Sequence, residues 1–319
     1  MDVVAEVLRS VRLSGGIFLD AHFSHPWCVT SKITPEDCRP FLATPAQVIA
    51  YHFIIEGRAL LAIDGGRDIE VHAGEVVLLP RNDGHTLASA RGIAAISADD
   101  LIQPSQDGGL ARIFHGGGGE PTRLVCGFLG SEEAFNPLIA ALPPVLKIDV
   151  RSGASGDWIE ASVKFAASEL AEGRFASSNT LSRLSELLLG EAIRRHVSTL
   201  DENQMGWLKG LRDPQIGRAL ALIHANLGRS WSANRLAKEV AMSRSAFTER
   251  FTRLIGLPPI RYLTMWRLQK AKHDLRETNK TISQLAHSLG YESEEAFSRA
   301  FRREFGVPPT RWRDQPQGR

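Results

Sequence analysis

Two periods of apolar and polar residues divide this chain. From about Ile17 to Leu129 the apolar residues come in short runs, among them "QVIAYHFIIEG", "RALLAI", "RDIEVHAG", "EVVLLPRNDG" and "TRLVCGFL", separated by Gly, Asp and Asn. Such runs at regular spacing predict the strands of an antiparallel barrel or sandwich. "DGG" at 64–66 is a hairpin signal, because Asp-Gly tolerates the positive φ of a tight turn. "HGGGGE" at 115–120 reads as a loop, since four glycines cost too much entropy inside a strand. From about Gly156 apolar residues recur at i, i+3, i+4 and i+7. "DWIEASVKFAASELAEG" and "TLSRLSELLLGEAIRRHVSTL" therefore predict amphipathic helices, with Asp157 and Thr180 as N-caps and Gly173 as a stop. After "KGLRDPQ" every segment reads as helix, broken at "LGRSW", "GLPP", "TNKT", "GYES" and "GVPP".

The helical part repeats itself. "FTRLIGLPPIRYL" from Phe251 and "FRREFGVPPTRWR" from Phe301 share the frame F-x-R-x-x-G-x-P-P-x-R, fifty residues apart. In each copy the run before the Gly is a short helix with aromatic anchors four residues apart, Phe247 and Phe251, then Phe297 and Phe301. That spacing puts both rings on one buried face. Ser243 and Ser293 are the expected N-caps, Gly256 and Gly306 the positive-φ stops, and Pro258 and Pro308 prevent continuation. A second short helix precedes each, marked by Leu236-Ala237 and Leu285-Ala286, with the alanines where two helices cross. Helix, tight turn and helix, written twice, is a tandem helix-turn-helix. The segment between, "PPIRYLTMWRLQKAKHDLRET", predicts one long helix whose stripe of Tyr262, Met265/Trp266, Leu268/Gln269, Ala271 and Leu275 holds the units side by side. Two reading helices on such a rod would reach successive major-groove segments about 34 Å apart.

Charge sharpens the division. The net charge is +2, but residues 213–319 hold 19 Lys+Arg against 10 Asp+Glu, and residues 1–212 hold 19 against 26. A block at +9 beside a block at −7 points to an anionic ligand for the C-terminal part, with nucleic acid first. The alternative is an Arg-rich solvated helical surface. The 319 residues suggest about two domains, with expected limits of 1–150, a helical linker at 151–212, and 213–319. The linker reads either as a packing connector or as a dimerisation hairpin, and the apolar surface of "LSRLSELLL" favours the hairpin. The longest apolar runs fall well short of the about 20 residues that span a bilayer. The first residues lack the basic start and apolar block of a signal peptide, and three cysteines are too few for a disulfide framework. A cytoplasmic protein that does not enter membranes is expected.

With the phenylalanines turned inward, the first helix offers Arg244, Ser245, Thr248 and Glu249 to DNA, and the second offers Glu294, Glu295, Ser298, Arg299 and Arg302. Arg299 is the principal candidate reader, because Arg grips guanine O6 and N7 through two hydrogen bonds. Arg253, Arg303, Arg311 and Arg313 are expected on phosphates. Residues 213–313, with "GLPP" and "GVPP" closing tandem units, resemble the DNA-binding domain of AraC/XylS-type bacterial transcription regulators. Glu249 departs from that pattern, which often carries Arg or a neutral polar residue there.

The N-terminal half resembles a cupin, as found on one branch of those regulators, through "LRSVRLSGGIF", "HPWCV", "YHFIIEG", "AGEVVLLPRNDGHTL", "LVCGFL" and "LIAALPPVL". "GEVVLLPRNDGH" fits the second cupin motif G-x5-P-x-G-x-x-H, with Asn82 in the usual glycine place. Enzymatic cupins bind a divalent metal through an H-x-H, a Glu and the later His, but "CRPFLATPAQVIAY" before His52 has no histidine. His52, His85 and Cys126 remain; they read as ligands for zinc with one open place, or as buried hydrogen-bonded histidines beside a core cysteine. His115, next to the glycines, is a weaker candidate, and Tyr51, Trp27 and Arg81 are candidate pocket residues. The resemblances imply a two-domain α+β protein, an N-terminal antiparallel cupin-like β-barrel followed by an all-α tandem helix-turn-helix domain. They imply a transcription regulator that binds double-stranded promoter DNA and a small effector or metal, with a second copy and RNA polymerase as further partners. The competing reading is a metal-dependent cupin enzyme, an oxygenase or isomerase, fused to a DNA-binding domain. A barrel serving only for dimerisation is a third.

Overall fold

Short apolar runs and amphipathic periods sort into two units, residues 11–196 and 197–319. The computed structural model describes residues 13–34, 37–38, 45–63, 66–104, 110–131, 137–151, 161, 165, 178–200 and 207–314. The fold is α+β, a sheet-rich unit followed in sequence by a helical one.

The first unit has eleven described strands in two sheets. They are β1 (Ser14–Ser24), β2 (Cys28–Ser31), β3 (Gln47–Glu56), β4 (Arg58–Ile63), β5 (Ile69–His72), β6 (Glu75–Leu79), β7 (His85–Ala88), β8 (Ile96–Ser97), β9 (Ala111–Gly116), β10 (Pro121–Ser131) and β11 (Leu146–Asp149). One sheet runs β11-β6-β3-β10-β1-β9 and the other β5-β4-β7-β2-β8. Their inner faces share one core that includes Leu19, Ala50, Ile54, Leu61, Leu87 and Phe128. The expected hairpin joins β4 to β5, and Gly66 N–H donates to Ile63 O at 3.0 Å; residues 64 and 65 lie outside the described residues. Two expectations need correction. The β1–β9 and β2–β8 pairs are parallel, not antiparallel. Neither pair is joined by a tight turn, so nothing local forces the two directions to oppose. Gly116, read as loop, ends β9 opposite Ser24 at φ +135°, in a position where a Cβ would collide with the Ser24 carbonyl.

Helix α1 (Pro137–Ala140) is short, and α2 (Ser178–Thr199) lies on the outer face of the six-stranded sheet. Tyr51 and Ser185 share a hydrogen bond at 2.8 Å, and the Arg195 guanidinium donates to the Asp149 carbonyl. Leu184, Leu188, Leu189, Ala192 and Ile193 are buried, while Leu187 stays exposed. The apolar stripe that motivated the dimerisation expectation is thus largely covered by the chain itself. Thr180 lies inside α2 rather than capping it. Of the helix expected over 157–173 only Ala161 and Phe165 are described, both helical and exposed; its ends, Asp157 and Gly173, fall outside the described residues.

The helical unit comprises α3 (Trp207–Arg212), α4 (Pro214–Ala225), α5 (Ala233–Glu239), α6 (Arg244–Ile255), α7 (Pro259–Glu277), α8 (Ile282–Ser288), α9 (Glu294–Phe305) and α10 (Pro309–Asp314). No helix among the described residues is long and apolar enough to cross a membrane. Ser243 accepts from Ala246 N–H and Ser293 from Ala296 N–H. Gly256 and Gly306 stop their helices at φ 80° and 77°. Phe247 and Phe251 lie 5.6 Å apart, Phe297 and Phe301 5.7 Å apart, and all four are fully buried. Ala237 and Ala286 are buried at the helix crossings. Along α7, Tyr262, Trp266, Leu268, Ala271 and Leu275 are buried as the stripe predicted, whereas Met265 and Gln269 are half-buried. Leu263 and Arg267, outside the expected stripe, are buried too. His224 meets the Tyr262 hydroxyl at 2.8 Å, and burial lowers its pKa to about 3. Truncating Phe301 to Ala should cost about 3–5 kcal/mol of stability, the range for emptying a fully packed aromatic site. Urea unfolding followed by tryptophan fluorescence measures it; a loss below about 1 kcal/mol would contradict this packing.

Candidate nucleic-acid interface and barrel interior

Helices α6 and α9 have 12 residues each, and the phenylalanines fix which face is buried. Arg244, Ser245 and Glu249 are exposed on the first, with Thr248 half-buried. Glu294, Glu295, Arg299 and Arg302 are exposed on the second, with Ser298 half-buried. The fifty-residue repeat aligns the faces position by position, setting Glu249 against Arg299, Thr252 against Arg302, and Arg253 against Arg303. The Glu295 carboxyl is held below its usual range by its own backbone N–H and the Ser293 hydroxyl, with the Arg299 charge adding to this.

The arginines of this unit fall into two groups. Some are spent inside the fold. Arg250 binds the Asp213 carboxylate at 2.6 Å and Gln215 at 3.2 Å, tying α6 to the N-cap of α4. Arg261 pairs with Glu304 at 3.0 Å. Arg313, expected on a phosphate, donates to Leu275 O at 3.1 Å and Lys280 O at 2.6 Å, closing the end of α7 instead. By contrast, Arg244, Arg253, Arg299, Arg302, Arg303 and Arg311 are exposed, and their guanidinium groups make no hydrogen bond or ion pair with another described residue. A guanidinium held free in this way reaches an anion without first breaking a protein contact. Composition showed that the unit is basic; only the packing separates the free arginines from the engaged ones.

In the sheet-rich unit the three candidate ligands do come together. Cys126 on β10 pairs directly with His52 on β3, and His85 faces them from β7 of the other sheet. His52 Nδ1 lies 3.1 Å from Cys126 Sγ, His52 Nε2 lies 2.7 Å from His85 Nε2, and His85 Nδ1 lies 3.0 Å from the Asp83 carbonyl. The carbonyl can only accept, so His85 donates from Nδ1 and, being neutral, accepts at Nε2. His52 then donates from Nε2 and accepts the Cys126 thiol proton at Nδ1. Burial supports this neutral assignment. It pushes the Cys126 thiol up, and it pulls both imidazoles down, with each other's proximity adding to the effect on His52.

A tetrahedral zinc needs one atom from each ligand aimed at a single centre. Here His52 uses its two nitrogens in opposite directions, so the donors form a line rather than a cage. Among the described residues no three His, Cys, Asp or Glu groups surround a common point. As placed, these residues do not fit a metal. The candidate pocket residues point to different surroundings among the described residues. Tyr51 points to α2 on the outer face, Trp27 stacks on Phe23 at 4.2 Å in the core, and Arg81 donates to Leu142 O at 3.3 Å. His115 is half-buried on the edge strand β9. Sequence reasoning missed a cleft of about 440 Å³ beside His85, lined by polar and apolar residues that include Thr30, Lys32, Thr34, Ile63, Thr86 and Asp99. Its signal was "VTSKIT", three hydroxyls around a lysine.

Folding holds His52 and His85 neutral, whereas an unfolded histidine protonates near about pH 6.5. Their contribution to stability is complete above that pH and falls as pH drops below it, by about 1.4 kcal/mol per histidine and pH unit until the folded pKa is reached. The thermal midpoint of the wild-type chain should fall between pH 7.5 and 5.5, and a double His52→Gln, His85→Gln variant should show a flatter dependence. Equal slopes in a melting series would contradict the assignment.

Comparison with known proteins agrees with both halves. A cupin family model matches residues 2–198, and a helix-turn-helix domain model matches residues 236–315. An AraC-like transcription regulator from Streptomyces lividans is 32% identical over 274 residues, 85% of this chain and 88% of that protein. The HTH-type transcriptional regulator AlkR of Acinetobacter baylyi is 29% identical over 308 residues, 94% of this chain and 98% of the relative. Among solved structures, the DNA-binding domain of AdpA, in complex with a target DNA, is 29% identical with a TM-score of 0.31, covering 32% of this chain and 90% of that one. A cupin half, a tandem helix-turn-helix half and relatives that match over most of their length make the chain a member of the AraC-type DNA-binding transcription regulators.

Proposed function

We propose that α6 and α9 enter successive major-groove segments of promoter DNA and that their side chains read different bases. The observation that carries this is the set of free, exposed arginines on helices whose opposite face is locked by phenylalanine pairs. Arg299 reads guanine, while Glu249, at the same place in the first unit, accepts from the N4 amine of cytosine. Ser245, Thr248, Glu295 and Ser298 flank these readers, and Arg244 and Arg302 lie at the edges of the two faces. Arg253, Arg303 and Arg311 neutralise phosphates. Because the two faces differ in charge at matched positions, the DNA site is asymmetric rather than a repeat of one half-site.

In this reading the cupin half senses a small molecule and biases the arrangement of the chain that binds DNA, which requires different effector affinity in the two arrangements. A non-catalytic role is supported by the neutral, fully engaged histidine pair and by the absence of an H-x-H before His52. A second copy of the chain and RNA polymerase are its further partners, and the cytoplasm is where it meets promoter DNA.

Binding titrations over a salt series test the assignment, using duplexes enriched by the wild-type chain from a random-sequence pool. Arg299→Ala should weaken the selected duplex by about 5- to 150-fold and relax the preference at one base pair. Arg303→Ala should weaken selected and random duplexes alike and lower the salt slope by about one. A wild-type chain that prefers no sequence at any salt, or an Arg299→Ala variant with unchanged preference, would contradict the proposal.

A further inference from the structure

Arginine is almost never fully buried without a partner, yet Arg267 on α7 is 9% exposed. Its partners are backbone carbonyls. Nε donates to Leu227 O at 2.8 Å, Nη2 to Arg229 O at 2.8 Å, and Nη1 to Gly290 O at 3.2 Å. The first two carbonyls lie in the segment leading from α4 into the first helix-turn-helix, and the third lies in the turn of the second. The same guanidinium sits 5.7 Å from the centre of the Tyr291 ring.

Around this side chain the two segments meet backbone to backbone. A Cβ on Gly228 would strike the Ser288 carbonyl, and one on Gly290 would strike the Gly228 carbonyl. Gly290 also has φ +76°, which disfavours a side chain for a second reason. The "LGRSW" and "GYES" breaks therefore do more than end helices: they are two halves of one contact, joined by Arg267.

We propose that this clamp, Arg267 with Gly228 and Gly290, fixes the angle between α6 and α9 and so sets the spacing of the two DNA segments that the chain reads together. The inference rests on both helices being readers. Two linked binding elements gain from their linkage only where their separation matches the target. The long helix carries both units, but the clamp is what ties the entry of one to the turn of the other. Arg267 acts on DNA through α6 and α9, as a positioning residue.

The test uses a duplex of about thirty base pairs enriched from a random pool by the wild-type chain, long enough for two segments one helical turn apart. Companion duplexes have either half scrambled, or one or two base pairs inserted between the halves. The wild-type chain is expected to prefer the intact duplex at least about tenfold over each companion. Arg267→Gln is expected to bind the intact duplex about tenfold more weakly, to bind the half-scrambled duplexes within about twofold of wild type, and to tolerate the insertions. Arg267→Lys keeps the charge with fewer fixed donors and should fall between. Gly228→Ala, which wedges the segments apart without removing Arg267, should reproduce the loss, with circular dichroism showing native helix content. An Arg267→Gln chain that still needs both halves at the original spacing overturns the clamp and leaves the DNA reading intact. A variant weakened equally on intact and half-scrambled duplexes acts through stability alone and also overturns the clamp. A wild-type chain indifferent to scrambling overturns the reading and the clamp together.

Discussion

A helix of 12 residues does not hold itself together in water, so each reading helix depends on the two phenylalanines it buries. Phe247 and Phe251 press towards Tyr262 on the long helix, with Phe251 and Tyr262 centred 5.7 Å apart. Phe297 and Phe301 are completed by Phe305 and Trp312, whose rings lie 4.7 and 6.2 Å from Phe301. Burying those rings fixes the rotation of each helix about its own axis. The exposed positions that follow, Glu249 and Arg253 in one copy and Arg299 and Arg303 in the other, are then determined rather than free. The serine caps and glycine stops limit each helix to this anchored length.

The sheet-rich unit obeys a different constraint, the cost of burying polar groups. Three polar side chains meet between its sheets, and each finds a neutral partner along one line from the Cys126 thiol to the Asp83 carbonyl. Such a line is stable because no member is charged or unsatisfied. It also uses up the lone pairs that a metal would need. A cupin scaffold can therefore keep two histidines in its interior as structure.

Much of the helical half was legible because its determinants are local. Ser243, Gly256, Pro258 and their counterparts fifty residues on act within one turn of chain, and the phenylalanine spacing names the buried face directly. What stayed hidden depends on distant segments meeting. Arg313 reads as a phosphate contact until Leu275 and Lys280 bring carbonyls to it, and nothing local marks Arg267 as the partner of Leu227, Arg229 and Gly290. The α2 stripe read as an open face because nothing in "LSRLSELLL" tells that a sheet will cover it. The parallel β1–β9 and β2–β8 pairs were missed for the same reason, since no turn sequence joins those strands. His52, His85 and Cys126 were rightly grouped, but their order in a line rather than around a point is set by which sheet each strand joins.

Hydroxyl-radical footprinting of the wild-type chain on its selected duplex bears most directly on the tandem reading. Two protected patches on one face of the duplex, about one helical turn or 10 base pairs apart, are expected. A single patch, or protection spread evenly along the duplex, would contradict it.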